Sequence, residues 1–195
     1  MRLVVGLGNP GGRYAGTRHN VGWQVLDVLA RRWDARELAA SAVSAVRRAE
    51  VAGGSVVLMR PLTFMNNAGD AVDAWQRGPE GPAEDVLVVG DDVYLPLGAL
   101  RLRARGSSGG HRGLESIERA MGHRDFSRLR IGVGAAESSA ELREHVLDRF
   151  TAEQQALIDE TALRAADAVE CWVAEGILAA MDRFNRRAGK EVREP

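Results

Sequence analysis

Residues 2–22 read RLVVGLGNPGGRYAGTRHNVG. The apolar run Leu3-Val4-Val5 ends in a glycine-rich turn, a pattern typical of a buried strand that runs into a loop. In open α/β sheets ligands bind at the carboxyl ends of the strands, and this loop carries polar side chains to that edge. We therefore interpret the stretch as one wall of an active site, with His19 as its most reactive group.

Length, charge and cysteine content limit the classes of protein to be considered. The 195 residues, 45% of them hydrophobic, indicate one globular domain with a real core. The net charge of −1 gives no general attraction to nucleic acid, so any such site must be a local patch. The single cysteine, Cys171, excludes an intramolecular disulfide and favours a reducing compartment. Because membrane-spanning runs and a signal peptide are absent from the sequence, we expect a cytoplasmic protein without membrane contact.

Strand and helix patterns alternate along the chain. They predict an α/β fold with a twisted, mixed, mostly parallel sheet flanked by helices, over residues 1–188, and a polar tail at 189–195. The predicted strands are residues 3–5, 43–52, 55–60, 86–89, 100–103 and 129–134. The predicted helices are residues 20–33, a segment from TFMNNAG to about Arg77, residues 113–121, a short helix opened by a Ser138/Glu141 capping box, and a long one opened by a Thr151/Gln154 capping box, interrupted near Gly176 and ending at about Arg187.

The segment GLGNPG at residues 6–11 fits the pattern G-x-G-x-x-G. A dinucleotide site also requires a helix that starts inside the motif, so that its N-terminus meets the pyrophosphate. Here the helical pattern starts only near Asn20. A nucleotide-dependent oxidoreductase is therefore a weak alternative that rests on this motif alone.

His19 and two aspartates are the candidates for acid–base chemistry. The positive end of the following helix disfavours imidazolium, which keeps the His19 ring neutral and basic. Asp91 and Asp92 end the second buried strand and can reach the same sheet edge, where a carboxylate would fix the histidine tautomer. Such a pair suits a general base that works near neutral pH. The alternative is an ordinary surface histidine at a helix start.

Asn9 and Asn66 are predicted to face the same cleft, because one ends a strand and the other starts a helix after a strand. Amides at these places can bind a carbonyl or orient a water, although asparagine in loops is usually turn chemistry. The sequence has no serine in a nucleophile elbow and no cluster with metal-ligand spacing. Hydrolysis by a directly activated water, without a metal, is the simplest chemistry that remains.

Residues 101–112, RLRARGSSGGHR, carry four arginines and no acid. Arginine forks, the backbone N–H groups of the Gly/Ser loop and a helix N-terminus all favour phosphate oxygens. The segment therefore predicts a phosphate-binding surface, with a solvated sheet edge as the plain alternative.

Several stretches together point to one family. They are GLGNPGGRYAGTRHNVGW, RPLTFMNNAGDAV, VGDDVYLPLGALRLR, GGHRGLESI, FSRLRIGVG and AAMDRFN, in this order from Leu3 to about Asn185. With them the sequence resembles the bacterial peptidyl-tRNA hydrolases. The resemblance implies a monomeric α/β domain that cleaves the ester between a peptide and the 3′ ribose of tRNA, recycling tRNA from aborted translation. It implies peptidyl-tRNA as the partner and no cofactor.

The resemblance also implies roles for individual residues. His19 matches the catalytic base that activates water, and Asp91 matches the carboxylate that supports it. Asn9 matches a position that tells blocked from free aminoacyl-tRNA, and Asn66 matches an amide that orients substrate and water. The set expected to bind substrate and tRNA is Tyr14, Phe64, Met65, Asn66, Arg101, Arg103, His111 and Arg112.

One position departs from the family pattern. The family has G-H-N-G where this chain has Gly110-His111-Arg112-Gly113. An asparagine offers a donor and an acceptor, whereas Arg112 offers donors only and a fixed charge. If the asparagine holds a water, its loss costs about 2–4 kcal/mol of barrier. A catalytically impaired paralogue that binds RNA is therefore the second hypothesis.

Overall fold

The structure is a computed structural model that describes residues 1–135 and 141–185. Its strands are β1 (Arg2–Gly6), β2 (Arg36–Ala40), β3 (Ser44–Val51), β4 (Gly54–Pro61), β5 (Asp85–Asp92), β6 (Leu100–Arg103) and β7 (Ser127–Gly132). Its helices are α1 (Val21–Arg32), α2 (Ala68–Gln76), α3 (Arg112–Met121), α4 (Leu142–Leu147), α5 (Ala152–Glu175) and α6 (Ile177–Phe184). The predicted α/β fold with a mixed sheet is confirmed.

The seven strands form one sheet in the order β2-β3-β4-β1-β5-β7-β6. The central pairs β4–β1, β1–β5 and β5–β7 are parallel, while the outer pairs β2–β3, β3–β4 and β6–β7 are antiparallel. Strand β5 is buried from Val86 to Asp92, as its near-continuous apolar sequence predicts. The carboxyl ends of β1 and β5 therefore meet at one edge of the sheet.

Helices cover both faces of the sheet. On one face α1 and α5 pack against side chains such as Val4 and Leu87. On the other face α2 and α3 pack against Leu3 and Val88, the neighbours of those residues in sequence. This alternation is the two-residue period of a strand buried on both sides. The sheet, packed on both faces, gives the loops after β1 and β5 a rigid base.

The glycines of the GLGNPG segment permit close packing of β1 on α1. A Cβ on Gly6 would lie 2.6 Å from the carbonyl oxygen of Gly22, and a Cβ on Gly8 would lie 2.7 Å from the Trp23 ring. Two short 3₁₀ helices precede α1, which begins only at Val21. No α-helix therefore starts within the motif, which removes the geometric basis of the dinucleotide hypothesis.

Two of the patterns predicted for the C-terminal half are confirmed. The Thr151/Gln154 capping box opens α5, and the chain breaks at Gly176 before α6. The Ser138/Glu141 capping box is untested because Ser138 lies outside the described residues. The predicted end of the last helix near Arg187 and the predicted tail at 189–195 lie outside them as well. In the described ranges, no helix has both the length and the apolar character that crossing a membrane requires.

Candidate active site

A pocket of about 600 Å³ opens at the sheet edge where β1 and β5 end. Loops after β1, β4, β5 and β6 line it, together with one side of α4. The predicted site residues that it brings together are Asn9, Tyr14, His19, Phe64, Met65, Asn66, Asp91, His111 and Arg112. Arg101 and Arg103 do not line it, since they lie exposed on the edge strand β6.

Two histidines contact one carboxylate oxygen at the floor of the pocket. Asp91 Oδ1 lies 2.7 Å from His19 Nδ1 and 2.9 Å from His111 Nε2. The Asp91 side chain is only 2% exposed, whereas that of His19 is 12% exposed. His19 and Asp91 are thus adjacent, as predicted. The contact of His111 with Asp91 is additional.

Hydrogen bonds to Asp91 and to the α3 terminus fix the tautomers of the two rings. His111 caps α3, because its Nδ1 accepts from the backbone N–H groups of Gly113 and Leu114 at 3.1 and 3.3 Å. Its proton is therefore on Nε2, which donates to Asp91. An ionised Asp91 only accepts, so His19 donates through Nδ1 and keeps a lone pair on Nε2. This leaves one basic nitrogen in the site.

The charge of Asp91 results from opposing effects. Burial by itself raises the pKa of this carboxyl group, but the neighbouring His19 and His111 lower it by more. The pKa of Asp91 is therefore held well below its ordinary value. A buried, ionised carboxylate behind His19 stabilises the imidazolium that forms when the ring takes up a proton.

His19, Asp91 and His111 also have the composition of a metal site, with ligand atoms within 4.8 Å of one another. A metal would need the lone pair of His111 Nε2. The proton would then have to sit on Nδ1, where it would face the two N–H groups of the α3 terminus. The arrangement therefore suits a hydrogen-bond relay better than a metal.

Asn9 is held by both its main chain and its side chain. Its Oδ1 accepts from Met65 N at 2.8 Å, and its backbone N–H donates to Asn20 Oδ1 at 2.8 Å. Because the amide oxygen is engaged, Nδ2 is the group that remains to donate, and it bonds no residue within 1–135 or 141–185. A fixed amide donor at the pocket wall can stabilise negative charge on a carbonyl oxygen.

The residues after β1 and β4 form an aromatic wall on one side of the pocket. The rings of Tyr14 and Phe64 meet edge to face at 6.3 Å, and the Arg13 guanidinium lies over Tyr14. Phe64 is 52% exposed, so this wall presents apolar surface to a ligand. Asn66 is exposed beside it, and its Nδ2 donates to Asn67 Oδ1 at 3.0 Å.

Some residues at the pocket were not predicted from the sequence. Arg130 lies on β7 and bonds Asp92 Oδ2 at 2.9 Å and the Ser108 carbonyl. The signal that could have pointed to it is a lone arginine within the strand predicted at residues 129–134. Tyr94 follows the Asp91-Asp92 pair as an exposed aromatic. The side of α4 had no signal, because its pattern is that of any short amphipathic helix.

Comparison with known proteins agrees with the resemblance seen in the sequence. A family model described as peptidyl-tRNA hydrolase matches residues 3–193. A peptidyl-tRNA hydrolase of Chloroflexus aggregans is 45% identical over 95% of this chain and 99% of that protein. One of Roseiflexus castenholzii is 44% identical over 100% of this chain and 95% of that protein. The crystal structure of peptidyl-tRNA hydrolase from Acinetobacter baumannii matches with a TM-score of 0.85 at 32% identity, over 95% of this chain and 94% of that one.

Proposed function

This chain belongs to the peptidyl-tRNA hydrolase family, and we propose that it hydrolyses the ester between peptide and tRNA with His19 as the general base. The observation that carries the assignment is the 2.7 Å contact between His19 Nδ1 and a buried Asp91 carboxylate at the pocket floor. That contact leaves Nε2 as the one basic nitrogen beside the space for an ester.

The reaction follows from these hydrogen bonds. His19 Nε2 takes a proton from a water, whose oxygen attacks the ester carbonyl carbon. Asp91 stabilises the imidazolium, and Asn9 Nδ2 donates to the oxyanion. When the bond to the ribose oxygen breaks, the imidazolium returns the proton to that oxygen. The products are a tRNA with a free ribose hydroxyl and a peptide carboxylic acid, which releases its proton to solvent and becomes the carboxylate.

The remaining predicted residues bind the substrate in this proposal. Asn66 orients the peptide, and Tyr14, Phe64 and Met65 supply apolar surface for it. Arg101 and Arg103 meet acceptor-stem phosphates. The protein works in the cytoplasm as a monomer, without a metal or another cofactor.

Arg112 gives no support to the catalytically impaired paralogue. Its side chain is exposed at the pocket wall and, in the part of the chain that the structure describes, makes no hydrogen bond or ion pair. The contacts among His19, Asp91 and His111 are complete beside it. The substituted position therefore leaves the acid–base groups in place.

Hydrolysis of an N-acetylated aminoacyl-tRNA tests the proposal. We expect His19→Ala to lower kcat by about 10²- to 10⁴-fold, the usual contribution of a general base. His123→Ala is the matched control, since His123 is exposed and lies outside the pocket. Equal rates for wild type and His19→Ala would overturn the assignment.

A further inference from the structure

We propose that Tyr94 is a stacking platform for a base in the unpaired 3′ end of the tRNA. The inference rests on the proposed function and adds a binding residue to it. Tyr94 is 69% exposed and lines the pocket that holds His19. Its side chain has no hydrogen bond or ring contact with any residue of the described ranges. A large aromatic face is thus open to a ligand at the site of the chemistry.

The backbone at Tyr94 is held by hydrogen bonds and by a buried neighbour. Its backbone N–H donates to Asp92 Oδ1 at 2.9 Å, and Asp92 is in turn bonded to Arg130. The next residue, Leu95, is buried in the core. The same turn is also bonded to β7, because the Gly132 N–H donates to the Ala99 carbonyl at 2.8 Å. Because the backbone is already held, stacking of a base has to order only the two side-chain torsions of the ring.

The place of Tyr94 in the sheet favours RNA over peptide as its occupant. Tyr94 lies in the turn between β5 and β6, on the side of the pocket towards the basic edge strand. On β6, Arg101 lies opposite Arg130 of β7, the residue that holds Asp92. The basic strand is therefore separated from the backbone that carries Tyr94 by one strand pairing and the Arg130–Asp92 ion pair. The aromatic wall after β1 and β4 is on the other side and remains for the peptide.

Base stacking fits this arrangement chemically. Proteins that hold single-stranded nucleic acid combine a basic track along the backbone with aromatic side chains that stack on successive bases. The tRNA 3′ end is unpaired, and its last ribose carries the ester that His19 would cleave. A base near that ribose must therefore enter the pocket that Tyr94 lines.

The experiment is a double-mutant cycle between Tyr94→Ala and abasic nucleotides at successive 3′ positions of a peptidyl-tRNA. With the intact substrate, Tyr94→Ala should raise KM by about 5- to 140-fold and change kcat less, the range for one base–aromatic stack. Tyr94→Phe should stay near wild type because it keeps the ring. Leu178→Ala, at a 75% exposed apolar side chain of α6, is the control.

The coupling between Tyr94→Ala and the loss of each base decides the result. With the abasic substrate that lacks the stacked base, Tyr94→Ala should add no further loss. An unchanged KM, or a loss that is equal with every abasic substrate or follows the peptide sequence, would overturn the proposal. His19→Ala is measured in parallel. Hydrolysis that depends on His19 but shows no coupling at Tyr94 refutes the stacking alone, whereas hydrolysis independent of His19 refutes the proposed function.

Discussion

His19 and His111 bond the same oxygen of Asp91, but they differ in what their second nitrogen does. In His111 that nitrogen, Nδ1, accepts hydrogen bonds from two backbone N–H groups and is not available to a substrate. In His19 it keeps its lone pair. Two similar side chains on one carboxylate thus have different chemical capacities, and the difference comes from the terminus of α3 rather than from the rings.

Asp91→Asn tests whether the reaction requires the negative charge of Asp91. A neutral amide oxygen is a weaker acceptor than a carboxylate, and it does not stabilise an imidazolium on His19. We expect kcat to fall by about 10²- to 10⁴-fold while KM changes little, because Asp91 acts on the histidine and not on the substrate. Single-turnover hydrolysis of peptidyl-tRNA measures it. A loss confined to KM would contradict this role.

The same variant has an expected effect on stability against pH. The pKa of Asp91 is lower in the folded protein than its unfolded value of about 3.9. The unfolded chain therefore binds this proton more readily, so the contribution to stability is fully present above the unfolded pKa and is lost as the pH falls towards the folded pKa. Urea unfolding from pH 7 down to pH 3 should show a smaller decrease for Asp91→Asn than for wild type.

Arg112→Asn distinguishes a phosphate-binding arginine from a damaged catalytic position. If the exposed guanidinium binds a phosphate, the variant should raise KM and reduce the slope of log KM against log salt by about 0.7, while kcat stays within about fivefold. Removing a cation from the first residue of α3 should not destabilise the helix. A gain in kcat above about tenfold would instead support the impaired paralogue.

At the N-terminus of α3, His111 both caps the helix and donates to Asp91. His111→Ala removes the cap and one donor to Asp91, so we expect a loss of about 1–2 kcal/mol in the free energy of unfolding together with a lower kcat. His111→Asn offers a side-chain oxygen to the same N–H groups. It should recover most of the stability but not the kcat. Parallel recovery of both quantities would show that the cap alone matters.

The predictability of each element depended on how local its signal is. The loop after β1 and the end of β5 were predicted because apolar runs that end in glycine or aspartate mark strand ends. Strand β2 was missed, since Arg36–Ala40 is a short, charged edge strand without clear alternation. The contact between His111 and Asp91 was missed as well, because it depends on how α3 packs over the sheet and not on sequence spacing.

For the molecule as a whole, a net charge of −1 means that binding to tRNA depends on where the cations are. Arg101 and Arg103 lie exposed on β6, outside the pocket. Each cation that neutralises a phosphate releases a counterion. The double variant Arg101→Gln/Arg103→Gln should therefore weaken tRNA binding and reduce the salt slope by about 1.4–1.8, while kcat at saturating substrate stays near wild type.

A matched control separates local from global charge. Arg31→Gln/Arg47→Gln gives the same net charge, and both side chains are exposed on α1 and β3, away from the pocket. If β6 meets the acceptor stem, the control should bind tRNA like wild type at every salt concentration, measured by filter binding. Equal weakening in both double variants would mean that tRNA senses only the total charge. In that case the basic edge strand would not be the RNA surface, whatever the chemistry at His19.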